Sequence, residues 1–146
     1  MEAPATSVKL RSGYDMPRTA FGTWRTSDEP LRAALKAALT CGVRHFDAAH
    51  VYFNEPLIGE VLCEAISSRV VTRDELFITS KLMPSDMHPE HAREALELTL
   101  KNLQVSYLDL YLLVSMIVGN IIIYNQRDPI CDALLIFAAL AICTRT

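Results

Sequence analysis

Asp47, Tyr52 and Lys81 are three residue types that together can deliver a proton. A phenol has a reference pKa of about 10, too high for ready proton exchange near neutrality. A neighbouring ammonium favours the phenolate and draws that value toward the working range. A carboxylate beside the lysine keeps it charged and oriented, and offsets the cost of holding it in a low-dielectric pocket. Such a unit suits protonation of an oxygen that gains negative charge, and a carbonyl that receives hydride at carbon produces one. Taken one at a time, each residue has a plainer reading. Asp47 can cap the loop that follows, Lys81 can be a solvated loop lysine, and Tyr52, like Trp24 earlier in the chain, can be a packing aromatic.

The surrounding pattern decides how such residues would be held. Leu31, Ala34, Leu35, Ala38 and Leu39 recur at helical spacing. Asp28 or Glu29 is placed to cap that helix, Pro30 suits its first turn, and Gly42 ends it. Residues 43–47 are too few for a helix and read as a buried strand. A second helix begins after Asn54, a favoured N-cap, with its stripe at Ile58, Val61, Leu62, Ala65 and Ile66. Residues 76–80 read as a strand and 83–89 as a loop. A third stripe runs through Ala92, Ala95, Leu96, Thr99, Leu100 and Leu103, and residues 107–113 read as another strand.

With residues 19–23 as the first strand, the order is β-α-β-α-β-α-β, which implies parallel strands covered by helices. Val8, Lys9 and Leu10, with a turn at residues 12–15, suggest a small leading hairpin. No Gly-x-Gly-x-x-Gly follows the first strand, so an open dinucleotide-binding sheet lacks its main cue. Trp24, Asp47 and Lys81 instead fall at the C-terminal ends of successive strands, where (β/α)8 barrels gather their catalytic residues.

Composition excludes other classes. A chain of 146 residues is one domain's worth, and a net charge of −3 without a basic block invites neither nucleic acid nor an anionic membrane. Met1-Glu2-Ala3-Pro4 lacks the regions of a signal peptide. The cysteines (41, 63, 131 and 143) show no Cys-x-x-Cys spacing, and Cys41 and Cys63, within helical patterns, read as small buried hydrophobes. A reducing, cytoplasmic setting follows. His45 reads as a structural strand histidine, His50 adjoins the candidate site without a role, and His88 and His91 read as exposed.

The run Gly42-Val43-Arg44-His45-Phe46-Asp47-Ala48-Ala49, followed by Tyr52, Asn54, Glu55 and Gly59, resembles the signature of the aldo-keto reductase family. Gly22-Thr23-Trp24, Leu76-Phe77-Ile78-Thr79-Ser80-Lys81-Leu82 and Tyr107-Leu108-Asp109-Leu110-Tyr111-Leu112-Leu113 are similar to that family's later and earlier motifs, in order and at its spacing. Val43, where the family prefers an aromatic, is a minor departure. The resemblance implies a (β/α)8 TIM barrel that reduces small aldehydes and ketones with NADPH. It also implies that Tyr52 is the proton donor, that Lys81 and Asp47 tune it, and that Trp24 lines the substrate pocket. Gly22, Thr23 and Asp47 would adjoin the nicotinamide.

The resemblance covers roughly residues 7–113. The family continues that last strand with a histidine that orients the substrate carbonyl, whereas this chain has Val114, then Ser115 and Met116. The expectation is therefore an α/β fold, a partial barrel of four strands and three helices over residues 1–113, with an unrelated apolar tail over 114–146. In that tail, residues 117–124 are apolar and β-branched, 125–129 form a turn or loop, and 133–143 are uniformly apolar but short of the about 20 residues that span a bilayer. An incomplete barrel would expose strand edges, with its oligomeric state left open. A truncated, impaired reductase is the first expectation. The alternative is a non-catalytic isoform or mis-spliced product, which binds a partner or has no function. Val-Ser at residues 114–115 is what read-through of a splice donor would encode.

Overall fold

The computed structural model describes residues 6–114 and 121–124. The chain opens with an antiparallel hairpin, β1 (Ser7–Lys9) and β2 (Asp15–Pro17), as the turn at residues 12–15 suggests. Gly13 sits at φ +88, a conformation that favours glycine. Then come β3 (Phe21–Gly22), α1 (Asp28–Thr40), β4 (His45–Asp47), α2 (Glu55–Ser67), β5 (Phe77–Leu82), α3 (Pro89–Leu103) and β6 (Leu110–Val114). Strands β3 to β6 lie side by side in sequence order, each parallel to the last. This is the run of four strands and three helices expected from the alternating pattern.

The helices form for the reasons their stripes suggest, with one change at a cap. Ser27, rather than Asp28 or Glu29, is the N-cap of α1; the two acidic residues occupy the first turn, where they oppose the positive end of the helix dipole. Gly42, at φ +84, follows the last turn. Leu31, Leu35, Ile58, Leu62 and Leu103 are fully buried against Phe46 and Ile78 of the sheet. A Cβ on Gly59 would meet the Asn102 carbonyl, and the carbonyl carbon of Leu103 at 2.7 Å, so α2 and α3 touch there backbone to backbone. On the outer side, Arg32 reaches Glu60 at 2.7 Å and Lys36 reaches Glu64 at 3.0 Å, linking α1 to α2.

One sequence expectation needs correction. Cys41 and Cys63 are exposed, not buried. Cys41 caps the end of α1, and Cys63 lies one position past Leu62, off the apolar stripe that α2 turns to the core. Lys81 lies near the C-terminal end of β5, which runs to Leu82, so the plainer reading of it as a loop lysine does not hold. His45, by contrast, is a structural histidine as expected. Its Nδ1 donates to the Pro17 carbonyl at 3.0 Å and its Nε2 accepts from Thr79 Oγ1 at 2.9 Å. That ties the leading hairpin beneath the sheet.

Beyond β6 the pattern changes. β7 (Ile121–Tyr124) pairs with β6 antiparallel, Val114 opposite Ile121, where another β/α repeat would have placed a parallel strand. The expected apolar run at 133–143 lies outside the described residues. Among the described residues, no helix is long and apolar enough to cross a membrane.

Candidate active site

Parallel pairing brings the C-terminal ends of β3, β4 and β5 to one rim. Gly22 pairs with Asp47, and Asp47 with Thr79, so the residue two further along β5, Lys81, rises beside Asp47. Tyr52 comes from a 3-10 turn, His50–Tyr52, which follows β4. That turn ends at Phe53, held in the left-handed region at φ +55. A bulky residue there costs about 1–2 kcal/mol, so the surrounding fold must impose it. The rings of Tyr52 and Trp24 stack at 6.2 Å and 28°.

The three residues expected to do chemistry meet at one atom. Lys81 Nζ donates to Asp47 Oδ1 at 2.7 Å, to the Ala48 carbonyl at 2.9 Å and to Tyr52 Oη at 3.2 Å. An ammonium has three N–H groups, and each has an acceptor here. Because the Tyr52 oxygen accepts from Lys81, its own hydrogen must point elsewhere, and it remains available to a further acceptor. Lys81 and Tyr52 are half-buried, and Asp47 is a third exposed. The cluster therefore sits at an accessible rim, not in the core.

The remaining expected residues take different positions. Thr23 is fully buried; its N–H and hydroxyl both donate to the Asp47 carbonyl, at 3.2 and 3.0 Å. Gly22 is exposed and borders an open cavity of about 250 Å³ with Ala20, His45, Asp47, Thr79 and Leu112. Trp24 is 62% exposed, with the Arg25 guanidinium 4.6 Å from its ring centre. Val114 closes β6.

The sequence places Asn54 in the family signature and gives it the role of a helix cap. Its side chain makes no capping bond; instead Nδ2 donates to the carbonyls of Thr23 and Thr26, both at 2.8 Å. Buried Asn54 thus clamps the loop that carries Trp24 to the start of α2. The signal was its place two residues after Tyr52, but the cross-chain partners are invisible in a linear pattern.

A second tyrosine sharpens what is particular about the first. Tyr111 is buried in β6, and burial pushes its phenol well above the ordinary range; the Thr99 hydroxyl opposes that, while the Glu55 and Asp86 carboxylates add to it. Tyr111 is a core residue with a stubborn proton, whereas Tyr52 touches a cation at a rim.

The sequence model of the Aldo/keto reductase family matches residues 18–118. Mouse aldo-keto reductase family 1 member A1 is 49% identical over 110 residues, which is 75% of this chain and 34% of that protein. The NAD(P)H-dependent D-xylose reductase of Scheffersomyces stipitis is 43% identical over 123 residues, 84% of this chain and 39% of that protein. Among solved structures, the aldose reductase of Schistosoma japonicum superposes with a TM-score of 0.69 at 47% identity, covering 72% of this chain and 35% of that one. The Bombyx mori aldo-keto reductase in complex with NADP gives a TM-score of 0.68 at 37% identity, covering 75% of this chain and 38% of that one. The chain thus spans about a third of the length of the curated relatives it matches. With the family's sequence model extending over most of the described residues, the chain belongs to the aldo/keto reductase family.

Proposed function

We propose that the Asp47–Tyr52–Lys81 cluster protonates the oxygen of a small aldehyde or ketone as hydride reaches its carbon, an NADPH-dependent carbonyl reduction. The observation that carries this reading is the 3.2 Å contact between Lys81 Nζ and Tyr52 Oη, with Asp47 on the same ammonium at 2.7 Å. Lys81 donates to the phenol oxygen, so Tyr52 turns its own hydrogen to the substrate. As that proton leaves, the ammonium is already in place to stabilise the phenolate, without reorganisation. Asp47 orients the ammonium, and Thr23 fixes the backbone of Asp47 from behind. Trp24, stacked on Tyr52, would flank the substrate.

The nearby residues fit a nicotinamide. Nothing lies within 4 Å of where a Cβ on Gly22 would stand, so that strand end offers bare backbone. The N–H, hydroxyl and carbonyl of Thr23 are all bonded within the chain, leaving a wall without unsatisfied polar groups. Gly22, Thr23 and Asp47 would border the ring; bound NADPH supplies the hydride. Exposed free thiols at Cys41 and Cys63 suit a reducing cytoplasm.

The test is oxidation of NADPH by the full chain with a short aldehyde. Tyr52→Phe should lower turnover by roughly 10²-fold or more, the usual worth of a positioned general acid. Equal rates in the two proteins would remove Tyr52 from the chemistry. A second reading, a non-catalytic form, is favoured by Val114, because valine cannot donate to a substrate carbonyl. We place the departure from the reductase pattern there, with residues 114–146 as a separate segment; antiparallel β7 supports it. On that reading turnover and NADPH affinity are weak in this chain, and Val114→His raises turnover. Sequencing the mature transcript across the Leu113 codon checks whether the segment is spliced coding sequence.

A further inference from the structure

Behind the rim lies a carboxylate that the chemistry above does not use. Glu55, the first residue of α2, is 1% exposed. A buried carboxylate is costly unless it is paired or hydrogen-bonded, so its surroundings call for a reason. Its position in the first turn of α2, at the positive end of the helix dipole, offsets part of that cost. One hydrogen bond offsets more of it, and one close approach leaves the second oxygen without a hydrogen-bond partner. Oε1 accepts from Ser80 Oγ at 2.7 Å, and Oε2 lies 3.5 Å from His50 Nδ1 without forming a hydrogen bond.

The identity of those partners matters more than their strength. Ser80 immediately precedes Lys81 in β5, and successive strand residues point to opposite faces. Ser80 therefore anchors from the helix side the same backbone that presents Lys81 at the rim. His50 opens the 3-10 turn that Tyr52 closes. One carboxylate thus bonds one of the elements that bring the Lys81 ammonium to the Tyr52 oxygen and lies against the other. The geometry points to Glu55 as a positioning residue that sets the Lys81–Tyr52 contact from behind the sheet, through Ser80 on one side and His50 on the other.

This inference rests on the reading of Tyr52 and Lys81 as a proton-delivery pair only for its consequence in turnover; the placement is testable without it. A carboxylate buried merely to begin a helix would tie α2 to its own first turn, and its loss would leave the rim contact unchanged. A positioning carboxylate links β5 to the 3-10 turn, so weakening either contact shifts one partner of the rim pair relative to the other. A misplacement of 1 Å at a reacting group is enough to cost roughly 10²-fold in rate.

The experiment is NMR on the full chain, reading the 13Cζ resonance of Tyr52, assigned by its loss in Tyr52→Phe, and the 15Nζ resonance of Lys81. Glu55→Gln keeps an acceptor for Ser80 and removes the charge facing His50; Ser80→Ala removes one hydroxyl; His50→Gln removes the imidazole. Expected is a displacement of the Tyr52 and Lys81 resonances in Glu55→Gln and in at least one of the other two, while methyl resonances of Leu35 and Leu62 in the core stay in place. If the chain turns over, kcat should fall roughly 10-fold or more at unchanged KM. Tyr52 and Lys81 resonances that coincide with the unsubstituted chain in a folded Glu55→Gln would overturn the proposal. Loss of the fold in all three variants would also overturn it, by assigning Glu55 to stability alone. If Tyr52→Phe leaves turnover unchanged while the resonances move, the reductase reading fails and the positioning role stands.

Discussion

The two ends of β5 carry the same three kinds of side chain and use them differently. At the C-terminal end stand Lys81, Asp47 and Tyr52; at the N-terminal end stand Arg73, Asp109 and Tyr107. In the lower cluster, Asp109 is 2% exposed, and its Oδ2 accepts from Arg73 at 2.8 Å and from the Ile78 N–H at 2.9 Å. The Arg73 guanidinium carbon lies over Tyr107, 3.8 Å from the ring centre, and the Tyr107 hydroxyl donates to Asp74. An arginine does not give up its proton, and here it touches the face of the phenol and not its oxygen. In the upper cluster the cation donates to the phenol oxygen itself, at an accessible rim. Residue type alone does not separate a structural pin from the proton-delivery site proposed for the rim; the atom that meets the cation does. The division follows the general behaviour of β/α barrels, in which the C-terminal face carries chemistry and the opposite face carries stability.

Substitutions at the two ends should therefore separate stability from chemistry. Asp109→Ala would take the carboxylate from the partly buried Arg73 guanidinium and leave the Ile78 amide without its acceptor, and we expect it to cost about 2–3 kcal/mol in urea unfolding. A loss below 1 kcal/mol would remove the lower cluster as a pin. Arg73→Lys keeps the charge but loses the planar stack on Tyr107 and part of the bonding to Leu76, Tyr107 and Asp109. We expect about 1–2 kcal/mol from that change, with turnover per folded molecule unaffected.

Between the two ends, His45 supplies a pH dependence. Burial holds its imidazole below the ordinary value, more strongly than the Pro17 carbonyl and Asp47 pull it up. The unfolded chain takes the proton more readily, so this contribution is complete above about pH 6.5. It is lost as pH falls through that value toward the lower folded-state one, at no more than about 1.4 kcal/mol per pH unit. Unfolding titrations of His45→Gln should lack that slope; an unchanged slope would assign it elsewhere. At the upper end, Asp47→Asn should cost at most about 1 kcal/mol, because the pair is partly solvated. Its effect belongs in turnover and in the Lys81 15Nζ resonance. Away from both ends, Lys36→Met breaks only the exposed bridge to Glu64, and a melting curve should register about 0.5 kcal/mol or less.

Much of the scaffold is legible in the sequence. The stripe from Leu31 to Leu39 and that from Ala92 to Leu103 lie within α1 and α3, because helical periodicity is a local property set by which face is buried. Strand boundaries were less legible: residues 107–109, expected as strand, instead serve the Arg73 pin, with the Tyr107 carbonyl and the Asp109 carboxylate both bonded to the guanidinium. The exposure of Cys41 and Cys63 was missed for a related reason, since membership of a helix says nothing about which side faces out. Asn54 read as a cap from its type and place, and only its bonds to Thr23 and Thr26 reveal it as a clamp.

By itself, the sequence determined the alternation of strands and helices, the residue types at the strand ends and the change to valine at residue 114, because each depends on neighbours within a few positions. Only the tertiary structure decided that one ammonium touches Asp47, Ala48 and Tyr52 together, that Glu55 reaches Ser80, and that the chain folds back antiparallel at β7. The first two join groups 25 to 34 residues apart in sequence. Hydrogen bonds act over about 3 Å, and the packing of α2 and α3 on the sheet is what closes such separations to that distance.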